Sequence, residues 1–167
     1  MENIKYIGAS WLNEFFFCEY KFYLNKIKKI ILEATPEMLK GTEVHEKLEL
    51  DFQKVATPST IDAFIESKEL TITRELELQT FLPEILLLGR IDEINVDSEK
   101  ILIIDDKPKA YPYDEIKSQI FTYCFLFQEN FSKKHNKKVY AVLRDRDSGI
   151  IKWQDNYSDS EKNKVLE

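Results

Sequence analysis

The chain is short of cysteine and of positive charge, and each shortage excludes a class of protein. Its two cysteines, Cys18 and Cys124, are 106 positions apart. This excludes a disulfide framework and a self-contained zinc motif, and we expect two free thiols in a reducing compartment. The net charge of -6 at pH 7 argues against a protein that coats nucleic acid non-specifically, because phosphate binding depends on clustered lysine and arginine. A protein whose carboxylates are offset by bound metal ions remains compatible with this charge.

Long apolar runs are missing as well. Runs such as residues 85–88 and 101–104 have only four residues, and no run exceeds five, so all are too short to cross a bilayer. Charged residues at positions 2, 5 and 14 interrupt the amino end, so no signal peptide is expected. These features predict a cytoplasmic protein with no membrane partner.

The chain does contain enough apolar surface for a substantial core. Of its 167 residues, 43% are hydrophobic and 13% are aromatic, which argues against disordered and fibrous classes. It shows no internal repeat and no stretch long enough to be a domain linker. We therefore expect a single domain over residues 1–167.

Hydrophobic periodicity and turn residues predict helices that surround a meander of strands. The predicted helices cover about residues 10–29, a second stretch that begins with Thr35 as N-cap and Pro36, residues 61–66 and residues 113–131. The predicted strands cover residues 70–79, 86–96 and 101–107, followed by a carboxyl-terminal hairpin over about 137–155. This order favours an α/β fold, a mixed β-sheet flanked by helices.

The first two helices have faces that can be assigned from residue spacing. A buried stripe is predicted along the first: Trp11, Phe15, Cys18 and Phe22. The inward face of the second includes a histidine: Met38, Gly41, His45, Leu48 and Phe52. Ser10 is placed to cap the first helix, and Gly41 is expected to let the second approach the sheet closely.

Two carboxylates and a lysine fall at the ends of neighbouring strands. Alternation along residues 86–96 places Asp92 on a largely apolar face, where an ionised carboxylate needs a cation or hydrogen bonds to offset its burial. Asp105 and Lys107 share one face of the next strand, and Asp106 lies on the other. Phosphodiester hydrolysis needs a hard cation, to polarise the phosphoryl oxygen and acidify a water, and a nearby amine. Asp92, Asp105 and Lys107 provide this set, with the Asp106 backbone carbonyl as a further oxygen ligand.

Three more side chains can join this set, and each has an ordinary interpretation as well. His45 can supply a nitrogen ligand, but a lone histidine on an apolar face is more often a hydrogen-bonded core residue. Gln119 and Tyr123, four positions apart, share a face of the long helix, and they also belong to an ordinary core stripe. Likewise, Asp105 and Asp106 alone would be read as an exposed strand end.

Four short stretches, in this order, resemble the RecB-like nucleases of the PD-(D/E)XK superfamily, and most closely the small CRISPR-associated exonucleases. The matching stretches are residues 41–46 (GTEVHE), 89–94 (GRIDEI), 103–107 (IIDDK) and the pair Gln119 and Tyr123. Residues 18–24 (CEYKFYL) are similar to the cysteine-led first helix of that family. The resemblance spans about residues 10–127, most of the chain.

The resemblance implies a restriction-endonuclease-like core and a role for each matching residue. His45, Asp92 and Asp105 would bind Mg²⁺ or Mn²⁺, Lys107 would be catalytic, and Gln119 and Tyr123 would belong to the helix motif of the family. The substrate implied is DNA, as single strands or strand ends.

One departure concerns an iron-sulfur cluster that the CRISPR-associated members commonly hold through one amino-terminal and three carboxyl-terminal cysteines. Only Cys18 matches that pattern, and no cysteine follows Cys124. A four-thiolate cluster is therefore not expected within this chain. Either the chain is a cluster-free branch or a carboxyl-terminal segment has been removed.

Three functional hypotheses follow. The first is a metal-dependent deoxyribonuclease. The second is a catalytically weak DNA-binding or adaptor module that partners a CRISPR integrase or another DNA-processing complex. The third is a metal enzyme that acts on another phosphate ester.

Two clusters of basic residues are interpreted either as solvated ends of helices or as surfaces that bind phosphates of DNA. They are Lys26, Lys28 and Lys29, and then Lys133, Lys134, Lys137 and Lys138.

Overall fold

The computed structural model describes residues 5–30 and 36–166, except for the side chains at positions 37 and 38. The described strands are β1 (Lys5–Gly8), β2 (Thr71–Leu82), β3 (Ile85–Val96), β4 (Lys100–Lys107), β5 (Lys138–Asp145) and β6 (Ile151–Asn156). The described α-helices are α1 (Ser10–Phe17), α2 (Glu19–Phe22), α3 (Pro36–Val55), α4 (Ile61–Glu66), α5 (Asp114–Phe131) and α6 (Asp159–Leu166). A π-helical turn, Tyr23–Ile27, follows α2, and a 3-10 turn, Ser132–Lys134, follows α5.

The six strands form one mixed sheet in which β3 is central. β2 runs antiparallel along the whole of β3 and occupies one of its edges. The other edge is shared by β1, parallel at residues 85–88, and β4, antiparallel at residues 93–96. Among the described residues, 89–92 therefore have no strand on that side, and we call this segment the edge gap. The sheet continues through a parallel β4–β5 pair and an antiparallel β5–β6 pair.

Helix α5 covers one face of the sheet and supplies much of the core. It packs against β2, β3, β4 and β5 and also against α1. Its fully buried side chains, such as Phe125 and Phe127, join buried residues of β3 and β4 such as Ile94 and Ile103. Burial of this apolar surface is the main contribution to the stability of the fold.

The sequence predicted this architecture well. The predicted mixed β-sheet flanked by helices is confirmed, and every predicted strand is present with its ends shifted by no more than three residues. Strand β1 and helix α6 were not predicted, because each is short and has no clear apolar periodicity. None of the helices in the described ranges combines the length and the apolarity that crossing a membrane requires.

The predicted single helix over residues 10–29 is wrong. It is broken at Cys18, whose backbone is extended with φ -162° and ψ 100°, and the Cys18 thiol accepts a hydrogen bond from the Lys21 amide at 3.5 Å. The Ser10 cap is also wrong, because Ala9 is at the N-cap position and no side chain caps α1. The predicted stripe is only partly buried, although the rings of Trp11 and Phe15 still contact Phe22.

The prediction that Gly41 permits close packing is wrong as well. A Cβ atom built at Gly41 would meet nothing within 4 Å. The glycine with this role is Gly89 in the edge gap, where a Cβ would lie 2.5 Å from Leu126 Cδ1 and 3.2 Å from Tyr123 of α5. The predicted N-cap at Thr35 and the inward face position of Met38 lie outside the described residues and side chains.

Candidate active site

Asp92, Asp105 and Lys107 come together where β3 and β4 diverge at the edge gap. Asp92 Oδ2 accepts a hydrogen bond from the Asp106 amide at 2.8 Å, so this side chain bridges the two strands beyond their paired segment. The Lys107 ammonium lies 3.1 Å from Asp105 Oδ1 and 3.0 Å from Asp105 Oδ2. Asp105 is almost fully buried.

His45 reaches the same place from α3, together with a residue that the sequence analysis missed. His45 Nδ1 lies 3.3 Å from Glu75 Oε1 of β2. One potential ligand atom from each of His45, Glu75 and Asp92 lies within 4.8 Å of the others. The structure thus brings the predicted histidine and aspartate together, with Glu75 as the third member of the group.

Glu75 has an unusual backbone. It lies between Arg74, which pairs with Glu93, and Leu76, which pairs with Ile91. It therefore occupies the register position opposite Asp92. Its φ is 53°, in the left-handed region that costs a residue other than glycine about 1 kcal/mol or more. Isolated charges occur in many strands, so only the strand register, which the sequence alone does not give, identifies this residue.

The charges at this site act strongly on one another. Burial, and then the charge of Asp105, raises the pKa of Asp92 to about 7. Burial lowers the pKa of Lys107, but the charges of Asp105 and Asp92 outweigh it and the net shift is upward. The hydrogen bond with Glu75 raises the pKa of His45. These shifts describe a pocket with excess negative charge, and a cation would stabilise it.

The donor set fits a divalent cation. Asp105 Oδ2 is buried and makes no directed hydrogen bond, although the Lys107 ammonium lies beside it. The pKa of Asp92 is raised by burial and then by the charge of Asp105, and a metal ion bound here would offset both effects. Glu75 contacts Nδ1 of His45, so Nε2 is the ring atom that can bind a metal.

The opposite face of the sheet carries a network of buried ion pairs directly behind these carboxylates. Arg144 of β5 binds both oxygens of Asp106, at 2.7 and 2.8 Å, and both oxygens of Glu93, each at 2.9 Å. Arg74 of β2 bonds to Glu93 and lies 3.4 Å from Asp106. This confirms the predicted placement of Asp106 on the face opposite Asp105. The Asp106 carboxylate is anchored behind the sheet while its amide bonds to Asp92 in front.

Gln119 and Tyr123 are buried on α5 and bonded to each other. Gln119 Nε2 donates to the Tyr123 hydroxyl at 2.7 Å, and Gln119 Oε1 has no partner. Burial, followed by the charges of Asp105 and Asp92, raises the pKa of Tyr123, so this ring lies within electrostatic range of the carboxylates. Their assignment as supporting residues stays a prediction.

A cavity of about 780 Å³ opens beside these residues. It lies between the β1–α1 junction, strands β2, β3 and β4, and helix α5. Its lining includes Asp92, Asp105, Lys107, Gln119 and Tyr123. Its volume is in the range of pockets that bind small molecules.

The predicted carboxyl-terminal lysines lie at the other end of the sheet. Lys138 pairs with Lys100 at the start of β4, and the five residues from Lys100 to Asp105 span roughly 17 Å at about 3.3 Å per residue. Lys134 forms an ion pair with Asp62. Lys137 donates to the carbonyl oxygens at positions 65 and 67, at 2.8 and 2.5 Å, which holds the end of α4.

Comparisons with known proteins found similarity at the level of structure. No protein-family model matches the chain, and a search of curated proteins found no match. A solved structure from Eubacterium rectale, described as a candidate exonuclease, aligns with a TM-score of 0.54 and 10% identity over 97% of this chain and 76% of its own. The solved structure of SSO0001 aligns with a TM-score of 0.49 and 18% identity over 99% of this chain and 74% of its own. The Eubacterium rectale structure shares the mixed α/β fold, which is consistent with a restriction-endonuclease-like core.

Proposed function

We propose that this protein is a divalent-metal-dependent DNA nuclease. The observation that carries this proposal is the convergence of His45, Glu75 and Asp92 beside the buried Asp105–Lys107 pair. Nitrogen and carboxylate donors next to a fixed ammonium are the groups that metal-assisted phosphodiester hydrolysis needs. The description of the Eubacterium rectale protein as a candidate exonuclease agrees with this proposal.

His45, Asp92 and Asp105 would hold Mg²⁺ or Mn²⁺, with the Asp106 backbone carbonyl as a further oxygen ligand. An ion held there would supply polarisation of a phosphoryl oxygen and a lower pKa for a bound water. Glu75 keeps the His45 ring in orientation through Nδ1, the role that carboxylates commonly have toward metal-binding histidines. Arg90 in turn holds the other oxygen of Glu75, with Nε at 2.9 Å.

Lys107 acts in this proposal as a charged hydrogen-bond donor. Because its pKa is raised, it keeps its proton at neutral pH and cannot serve as a general base. Its ammonium instead positions Asp105 and stabilises negative charge on the phosphate during hydrolysis. The substrate we propose is DNA, as single strands or strand ends, which the cavity beside Asp105 and Lys107 would admit.

Cleavage of labelled single-stranded and duplex DNA tests this function. We expect hydrolysis with Mg²⁺ or Mn²⁺ and none with EDTA. Lys107→Ala should lower the rate about 100- to 1,000-fold, as for the loss of one donor that stabilises transition-state charge, and Asp105→Ala should abolish cleavage. Asp155→Asn, which changes an exposed aspartate of β6, is the control and should cleave as the wild type does.

Two outcomes contradict the proposal. One is a folded wild-type protein that leaves every substrate intact with either metal. The other is full activity in both site variants. Either result would favour the adaptor hypothesis, and the search would then turn to protein partners.

A further inference from the structure

Arg146 lies beside the candidate site, and neither the sequence motifs nor the proposed metal ligands include it. It follows the last residue of β5, and its amide donates to the Lys107 carbonyl at 3.0 Å. Its Nη1 lies 3.5 Å from the Gly41 carbonyl, one helical turn before His45. Arg146 therefore contacts the end of β4 through its backbone and helix α3 through its guanidinium, and these two elements carry Lys107 and His45.

The charge of Arg146 reaches both of these groups. The pKa of His45 is raised mainly by Glu75, and that of Lys107 is lowered by burial and raised by Asp105 and Asp92. For both groups, Arg146 acts to lower the pKa. Its positive charge is thus part of the electrostatic field of the site.

Arg146 differs from the other arginines in having no carboxylate partner among the described residues. Arg74 and Arg144 pair with Glu93 and Asp106, and Arg90 pairs with Glu75. Within the part of the chain that the structure describes, Arg146 forms no ion pair, and its buried Nε has no hydrogen-bond partner. A partly buried cation without a partner is costly, so an anion from outside the chain would fit here.

We propose that Arg146 binds a phosphate of the DNA backbone next to the metal site. A guanidinium offers parallel N–H donors that match two phosphate oxygens, and among the described residues the Arg146 guanidinium contacts only the Gly41 carbonyl, through Nη1 at 3.5 Å. The inference rests on the proposed nuclease function and adds a substrate-binding residue to it. The ligand is a phosphodiester, bound through charge and without base preference.

Binding of a fluorescein-labelled oligothymidylate of about twelve nucleotides, within the usual range of single-strand sites, tests this role. Anisotropy is measured in EDTA, which prevents hydrolysis, over a series of KCl concentrations. Arg146→Ala should weaken binding about tenfold and flatten the salt dependence by roughly one phosphate contact. Arg146→Lys should keep the salt dependence and recover only part of the affinity, because a single ammonium replaces the fork.

The matched control is Lys152→Ala, which removes one exposed charge from β6 of the same hairpin and should bind as the wild type does. Equal binding by wild type and Arg146→Ala would overturn the role of Arg146 alone. A wild type that binds no DNA would overturn this inference, whereas the nuclease function itself is decided separately by the cleavage assay with metal.

Affinity for Mn²⁺ separates phosphate binding from a purely structural role. If Arg146 only held α3 against the sheet, Arg146→Ala would displace His45 and weaken Mn²⁺ binding. If it binds phosphate, removing a cation beside the site should leave Mn²⁺ affinity unchanged or raise it. A loss of Mn²⁺ affinity as large as that of His45→Ala would overturn the proposal.

Discussion

Asp92 shows at the scale of one residue why this site favours a cation. Its carboxylate is close to Asp105, and it retains a proton more readily than an exposed aspartate does. A proton and a divalent ion therefore compete for the same oxygens, and metal affinity should fall as the pH drops below about 7.

The raised pKa of Asp92 predicts a pH dependence of stability in the metal-free protein. Its pKa rises from the ordinary 3.8 to about 7 on folding, so the folded state binds the proton more tightly than the unfolded state. The stability contributed by that proton is present below about pH 4 and is lost as the pH rises to about 7. Asp92→Asn keeps a hydrogen-bond acceptor for the Asp106 amide and removes this loss.

Melting curves in EDTA at about pH 5 and about pH 8 measure the effect. The Tm of Asp92→Asn minus the Tm of the wild type should become more positive as the pH rises. The charge of Asp92 also contributes to the raised pKa of His45, so the difference between the two proteins reports the loss of the Asp92 carboxylate together with its effect on His45. Asp155→Asn should show no such gain, and an equal Tm difference at both pH values for Asp92→Asn would contradict the prediction.

At the scale of elements, the site depends on how closely α5 approaches the edge gap. Gly89 is the contact point, since any side chain there would overlap Leu126 and press on the Tyr123 ring. The buried Leu126 side chain would have to turn away from β3, and the Tyr123 ring would have to shift by a few tenths of an ångström. Close packing of interiors leaves little room for such a shift.

Gly89→Ala and Gly41→Ala form a matched pair that tests this packing. Gly89→Ala should destabilise the protein by about 1 to 3 kcal/mol, because overpacking forces side chains and backbone to move. Gly41→Ala, with open space around the new methyl group, should raise stability by about 1 kcal/mol through helix propensity. Urea unfolding measures both. Equal effects of the two substitutions would show that α5 does not press on Gly89.

At the scale of the whole molecule, the charge is negative overall and locally positive beyond the carboxyl end of α5. Lys134 is paired with Asp62, and Lys137 is bonded to two carbonyl oxygens. Lys133 and Lys138 are exposed. These two are therefore the members of the predicted cluster best placed to meet a DNA backbone.

Charge reversal tests whether Lys133 and Lys138 contact DNA. Lys133→Glu combined with Lys138→Glu should weaken binding of single-stranded DNA and reduce the slope of log K against log salt by roughly 0.7 per lysine. Anisotropy titrations at several salt concentrations give the slope. Lys164→Glu on α6, outside the cluster, should leave the slope near the wild-type value. If the double variant shows the same slope as Lys164→Glu, the cluster does not contact DNA.

What could be predicted from the sequence depends on how far apart along the chain the interacting residues are. Asp92, Asp105 and Lys107 could be placed because they lie on strands with strong alternation, and His45 because helical spacing fixes its face. Glu75 and Arg146 could not, since each depends on how distant segments meet in space. The break at Cys18 was missed because the helical spacing of apolar residues continues past Cys18, whereas the helical backbone is interrupted there.

Asp106 gives β4 two functions at once, since its carboxylate is held by Arg144 behind the sheet and its amide holds Asp92 in front. A substitution at Arg144 should therefore disturb, through one peptide unit, the face of the sheet that carries the candidate site, without contacting that face. Tolerance to random substitution should consequently be low on both faces of this strand end. Substitutions behind the sheet would then impair the protein in the same way as substitutions in the candidate site. Second-site substitutions that restore function would be found among residues that restore the anchoring of Asp106.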